Sequence, residues 1–212
     1  DRAPLSDTDL VEQMQSFRAA IPEKNALNML NLLGSHDLPR VKTFNQGKEY
    51  KASALYTFMF AYQGVPCIYY GDEIGMEGGQ DPDNRRPMIW DHTQWHSRML
   101  AIMKKLCATR KEVECLRRGG LQWLYAEGGS LAFMREGQGP RAICTISKEN
   151  RPIENSESSV STHIAIPVKA AALPEGTRFK GVIYKSTAVV KNGMLSVIPT
   201  QIGAEIWVEE TD

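Results

Sequence analysis

Residues 29–41 read "MLNLLGSHDLPRV". A near-continuous apolar run ends at Gly34 and passes at once into Ser35, His36, Asp37, Pro39 and Arg40. Strands that are apolar on both sides belong to parallel sheets covered by helices. In such sheets the C-terminal strand ends carry the functional residues. The run 26–34 therefore predicts a strand buried on both faces, with His36 and Asp37 at its working end. An imidazole beside a carboxylate can stabilise a cation, activate water or bind hydroxyls. It can equally cap a turn and fill a core gap, so the pair alone leaves both open.

The flanks carry the same alternation. Residues 6–20, "SDTDLVEQMQSFRAA", predict a helix. Ser6 with Asp9 three residues on resembles a capping box, and Leu10, Met14, Phe17 and Ile21 share a face. Pro22 ends it. Residues 50–63, "YKASALYTFMFAYQ", predict a mostly buried helix with Ala54, Leu55, Phe58, Met59 and Tyr62 at helical spacing, broken by Gly64. Residues 65–70, "VPCIYY", form a second apolar strand. The loop 71–91, "GDEIGMEGGQDPDNRRPMIWD", follows. Residues 92–116 predict a long helix with Met99, Leu100, Met103, Leu106 and Cys107 inward and basic residues in its later turns, where they suit the helix C-terminus. Helix, strand, helix, strand, helix over 1–118 means an α/β arrangement with a parallel sheet. Two strands cannot bury both faces of such a sheet and leave its edges open.

From Leu121 the pattern changes. Hairpins at Glu127-Gly128-Gly129 and Asn192-Gly193 join short runs of alternating character. About eight short strands predict an antiparallel β-sandwich. The polar stretch 148–162 reads as a solvated loop.

Composition excludes some function classes. Lys+Arg and Asp+Glu are 25 each, so no basic surplus draws the chain to nucleic acid or an anionic membrane. No apolar run is long enough for a membrane span. Cys67, Cys107, Cys115 and Cys144 show no metal-ligand spacing and read as buried free thiols, which favours a reducing compartment such as the cytoplasm.

The order "LLGSHDLPR", then an apolar helix, then "GVPCIYYGDEIGMEGGQDPDNRRPMIWD", then a long helix and a sandwich resembles the C-terminal part of the alpha-amylase family of glycoside hydrolases, family 13. "GSHD" and the "GG-x-DP-x-x-R-x-P-M-x-W" pattern look like its cyclomaltodextrinase, neopullulanase and maltogenic amylase branch. The resemblance implies that residues 1–118 are the C-terminal segment of a (β/α)8 TIM barrel, holding its last two strands and last helices. Residues 119–212 would be the antiparallel β-sandwich domain. It implies that Asp37 is the third acidic residue of the active site, a transition-state stabiliser that grips the sugar being cleaved. It implies that His36 binds the same sugar, and that Asp81 and Arg85 contact a neighbouring glucose. Arg40 and Asp72 read as an ion pair bracing loops, and Tyr69 and Tyr70 as barrel packing.

A retaining glycosidase needs two carboxylates roughly 5 Å apart, one the nucleophile and one the acid/base. In the family the nucleophile lies in a Gly-x-Arg-x-Asp pattern, and no such pattern occurs here. Glu73 and Glu77 are nearest in type, but Glu73 does not match the family role. The expectation is a fragment of an alpha-glucan hydrolase, inactive alone, with an alpha-glucan or maltooligosaccharide as substrate. No cofactor is expected; structural calcium would belong to the parent. Self-association through the open barrel strands is expected of the isolated piece. The alternative is a non-catalytic carbohydrate-binding or assembly module whose Trp123, Trp207 and Tyr125 stack on sugars. An ester or phosphate hydrolase dyad lacks a nucleophile elbow and a phosphate loop.

Overall fold

The computed structural model describes residues 5–147, 163–198 and 200–211. The stretch 148–162, read as a solvated loop, lies outside the described residues. The first half contains α1 (Asp7–Ala19), α2 (Glu23–Ala26), β1 (Leu30–Leu32), α3 (Val41–Phe44), α4 (Glu49–Ala61), β2 (Val65–Cys67), α5 (Ser97–Glu112) and α6 (Glu114–Arg118). Short 3₁₀ turns at Asp72–Ile74, Asp83–Arg85 and His92–Gln94 punctuate the loop between β2 and α5. β1 and β2 pair in parallel, Leu30 opposite Val65 and Leu32 opposite Cys67. This is the α/β remnant that the alternation predicts.

Details depart from the periodicity. Ser6 caps α1, its Oγ accepting from Asp9 N at 3.1 Å. That helix buries only Val11, however, and Phe17 is 69% exposed. The 26–34 run yields three strand residues rather than nine, and Leu30 and Leu32 stand 64% and 55% exposed. Among the described residues β1 has only β2 beside it, so its apolar side chains have nothing to cover them. The expected 92–116 helix starts at Ser97 and breaks at Val113, whose extended backbone separates α5 from α6. Met99, Met103 and Leu106 are buried as expected, Leu100 is half-buried and Cys107 is exposed. Cys115 and Cys144 are buried and Cys67 is half-buried, so the buried-thiol reading holds for two of the four.

The second half is one antiparallel sheet of eight strands: β3 (Gly120–Glu127), β4 (Ser130–Glu136), β5 (Ala142–Ser147), β6 (Ile164–Pro167), β7 (Arg178–Gly181), β8 (Thr187–Lys191), β9 (Met194–Val197) and β10 (Ala204–Glu209). Their spatial order is β3-β4-β5-β10-β7-β8-β9-β6, and β6 returns to lie against β3. The sandwich is thus a sheet nearly closed on itself. Both foreseen hairpins are present, with positive φ at Gly128, Gly129, Asn192 and Gly193.

Strand alternation builds two cores from one sheet. Ala132 and Met134 of β4, Ile143 of β5 and Trp207 of β10 point into the sandwich with Phe179, Val190 and Leu195. Their neighbours Phe133, Ala142, Cys144 and Ile206 point outward and pack under Tyr56, Met59 and Phe60 of α4 and Met99 and Leu106 of α5. The helical half therefore shares its main core with the outer face of the sheet. Arg135 of β4, wholly buried, ties the halves together. It donates to Ala61 O at 2.7 Å, Gly119 O at 2.9 Å, and Leu116 O and Gly120 O at 3.0 Å, satisfying carbonyls at two helix ends. Burial lowers its guanidinium to about 10.

Candidate functional site

The site begins where β1 ends. Gly34 turns the chain over the buried Asp72; a Cβ there would lie 2.3 Å from Asp72 Oδ2, so a side chain would collide with the carboxylate. Residues 35–38 then form a short loop at the C-terminal end of the strand. His36 Nε2 and Asp37 Oδ1 are 3.2 Å apart, and both side chains are mostly open to solvent, 65% and 71% exposed. Neither fills a core gap. Asp37 N donates to Ser35 Oγ at 3.2 Å, so Ser35 rather than Asp37 supplies the turn's side-chain bond. The pair offers an acceptor and a ring nitrogen side by side, suited to hydroxyl groups.

The loop after β2 meets this pair. Arg85 Nη2 bonds Asp81 Oδ2 at 3.0 Å, and Arg85 Nε donates to His36 O at 3.1 Å. The two pairs, His36 with Asp37 and Asp81 with Arg85, therefore come together from distant parts of the sequence at one end of the parallel pair. Arg86 closes the other side of the 3₁₀ turn on Asp83, at 2.8 and 2.9 Å. The Gly79 N–H and then Arg86 hold the Asp83 carboxyl below its ordinary range.

Beneath the loops lies a buried polar plug. Arg40 Nη1 sits 3.1 Å from Asp72 Oδ1 and also donates to Tyr70 O. The Tyr56 hydroxyl donates to Asp72 Oδ2 at 2.6 Å. Burial raises the Asp72 carboxyl more than the hydrogen bonds from Tyr56 and Arg40 lower it, and burial likewise raises the Tyr56 hydroxyl. Arg40 and Asp72 brace the loops as foreseen. Tyr69 and Tyr70 do more than pack: their rings meet edge to face, centroids 4.7 Å apart, and both lie against the Arg40 guanidinium at 4.5 and 4.6 Å, within cation–π range, while Tyr70 Oη donates to Arg86 O at 2.7 Å. A second network lies beside it. Lys42 Nζ contacts Glu77 Oε1 and His96 Nε2, each at 2.7 Å, and His96 Nδ1 contacts Glu49 at 2.9 Å. Lys42 holds Glu77 below its ordinary value.

Sequence reasoning missed Asn84, Tyr56, Lys42 and His96. Asn84 looks like a spacer in "DPDNRR", Lys42 and Tyr56 lie on helices among apolar neighbours, and His96 directly precedes α5; no local signal marks them. The aromatic residues considered for sugar stacking are committed elsewhere. Trp207 is 2% exposed and donates from Nε1 to Thr145 Oγ1 at 3.0 Å. Trp123 packs on Phe133 and Phe58, and half-buried Tyr125 packs against the sandwich core. Among the described residues no group of three or more His, Cys, Asp or Glu side chains is placed to hold a metal ion. Among them, too, no helix is long and apolar enough to cross a membrane.

Residues 2–99 match the family model for the alpha-amylase catalytic domain. The cyclomaltodextrinase of Geobacillus thermopakistaniensis (strain MAS1) is 34% identical over 152 residues, 71% of this chain and 26% of that protein. The intracellular maltogenic amylase of Bacillus subtilis is 49% identical over 96 residues, 45% of this chain and 16% of the relative. The maltogenic amylase structure from S. marinus superposes with a TM-score of 0.73 at 28% identity, covering 98% of this chain and 26% of that one. The chain thus spans about a quarter or less of the length of these curated relatives. It is homologous to the alpha-amylase family of glycoside hydrolases and is similar there to cyclomaltodextrinases, maltogenic amylases and neopullulanases.

Proposed function

We propose that this chain forms the C-terminal part of an alpha-glucan-acting glycosidase, residues 1–118 completing a catalytic barrel and 119–212 forming its sandwich. The reaction is retaining hydrolysis or transfer at alpha-1,4 or alpha-1,6 glucosidic bonds of a maltooligosaccharide or related alpha-glucan. Asp37 accepts hydrogen bonds from ring hydroxyls of the sugar being cleaved. Those bonds strengthen as the sugar approaches an oxocarbenium-like transition state, so they lower the barrier rather than merely tightening binding. His36 bonds the same sugar, and Asp81 with Arg85 receives the adjacent glucose. The nucleophile and the acid/base are supplied from outside this chain, which contains no Gly-x-Arg-x-Asp sequence.

The observation that carries the proposal is the joining of His36, Asp37, Asp81 and Arg85 in one exposed patch through Arg85 and the His36 carbonyl. The test compares the 212-residue chain with the polypeptide extended N-terminally through its own reading frame. The chain alone should leave cyclodextrin, maltotriose and pullulan intact, and the extended protein should cleave at least one of them. In the extended protein Asp37→Asn should lower kcat by about a hundredfold or more while the fold is kept. Near-unchanged turnover in that variant rules out the role given to Asp37.

A further inference from the structure

Asn84 is fully buried, although it sits in an exposed loop between two exposed arginine and aspartate neighbours. Its Nδ2 lies 2.8 Å from His36 O, 2.9 Å from Leu38 O and 3.3 Å from Ser35 O. A carboxamide nitrogen carries two hydrogens, so the two nearer carbonyls take them and the third shares. Three acceptors around one atom also decide which end of the amide points inward, because only the NH2 end can donate. Among the described residues Oδ1 is buried with no hydrogen-bond partner, so the donors on Nδ2 are what fix the side chain.

The residue is itself held from behind. A Cβ on Gly78 would lie 2.8 Å from Asn84 Cα, so the two backbones touch with no room for a side chain. Gly78 O accepts from Arg40 N at 3.0 Å and Gly78 N donates to Thr43 Oγ1 at 2.9 Å. Asn84 therefore transmits the rigidity of α3 and the Arg40 plug to a loop whose own bonding is thin.

We infer that Asn84 is a positioning residue: its carboxamide holds the 35–38 backbone so that His36 and Asp37 keep their place relative to Asp81 and Arg85. This rests on the glycosidase reading of those four residues. It acts through Asp37 and touches no sugar.

The test has two arms. In the unmodified 212-residue chain the Asn84 carboxamide protons, followed by NMR, should exchange with solvent about a hundredfold more slowly than those of exposed Asn192. Equal exchange overturns the inference, even where every Asn84 variant fails to fold. In the N-terminally extended protein Asn84→Asp, isosteric but without the donors, should lower kcat about tenfold or more with little change in KM, and Asn84→Gln should recover part of the loss. An unchanged kcat in Asn84→Asp beside a lost kcat in Asp37→Asn overturns the inference and leaves the glycosidase reading standing. An unchanged kcat in Asp37→Asn overturns that reading, and the positioning role with it.

Discussion

Arg40 Nη1 lies 3.1 Å from Asp72 Oδ1, and both side chains are closed to solvent, 0% and 1% exposed. The pair plugs the sheet directly below the loops that carry His36, Asp37 and Arg85. Breaking a buried pair by removing one partner leaves an uncompensated charge. Arg40→Met should therefore destabilise the chain by about 3–5 kcal/mol in urea unfolding at neutral pH. The double variant Arg40→Met with Asp72→Asn should recover part of that. The deficit should be smallest in acid. Asp72 already has a folded pKa above its ordinary 3.8, and losing Arg40 raises it further. A raised carboxyl favours the fold below 3.8 and withdraws that contribution as pH rises through the folded value. A single variant as stable as the unmodified chain at pH 7 would mean the plug carries no such charge pairing.

The sandwich offers a contrasting ion pair. Arg141 grips Glu209 bidentately, Nη2 to Oε1 at 2.5 Å and Nε to Oε2 at 2.7 Å, and the Arg141 N–H adds a bond at 3.0 Å. The side-chain bonds from Arg141 hold Glu209 below its ordinary 4.5. A depressed carboxyl contributes stability that is present above 4.5 and lost as pH falls through its folded value. Glu209→Gln should cost about 1–2 kcal/mol at pH 7, and the difference from the unmodified chain should vanish in acid below that window. Parallel stability–pH curves for the two proteins would contradict the pairing.

Thiol reactivity should follow burial rather than sequence neighbourhood. Cys107 is exposed, Cys67 half-buried, and Cys115 and Cys144 buried. Burial pushes the Cys115 thiol up to about 11 and Cys144 up as well. An aromatic disulfide reagent should modify Cys107 first in the native chain and reach Cys115 and Cys144 only on unfolding. Partial burial also raises Cys107, so its reaction should be slower than that of a free cysteine. Rapid native labelling of Cys144 would be incompatible with its place under α4.

The parallel pair should make the chain self-associate. Leu30, Leu32 and Val65 are 64%, 55% and 40% exposed along neighbouring strands. Exposed apolar strands beside an open edge invite another chain. Sedimentation of the 212-residue chain should show association that grows with concentration, and Leu30→Lys with Leu32→Lys should abolish it. Association that persists unchanged in the double variant would place the contact elsewhere.

Local chemistry is what the sequence alone determined. The Ser6 cap, the Gly128-Gly129 and Asn192-Gly193 turns, the α/β-then-all-β order and the "GSHDLPR" strand end are written in neighbouring residues. Each depends on a backbone conformation or periodicity that a few side chains impose. His36, Asp37, Asp81 and Arg85 became candidates through the family resemblance that the motifs around them carry, not through local geometry. Tertiary structure alone decided what those elements meet. Periodicity marked Phe17 and Leu32 as apolar but could not say that both stand exposed, because burial depends on the neighbour and not on the residue. It could not find Asn84 either, since a carboxamide declares its partners only when residues 46 to 49 positions away fold onto it. Nor could it bury the Arg40–Asp72 pair or add Tyr56 to it, because that network's geometry exists only once α4 lies beneath the loops.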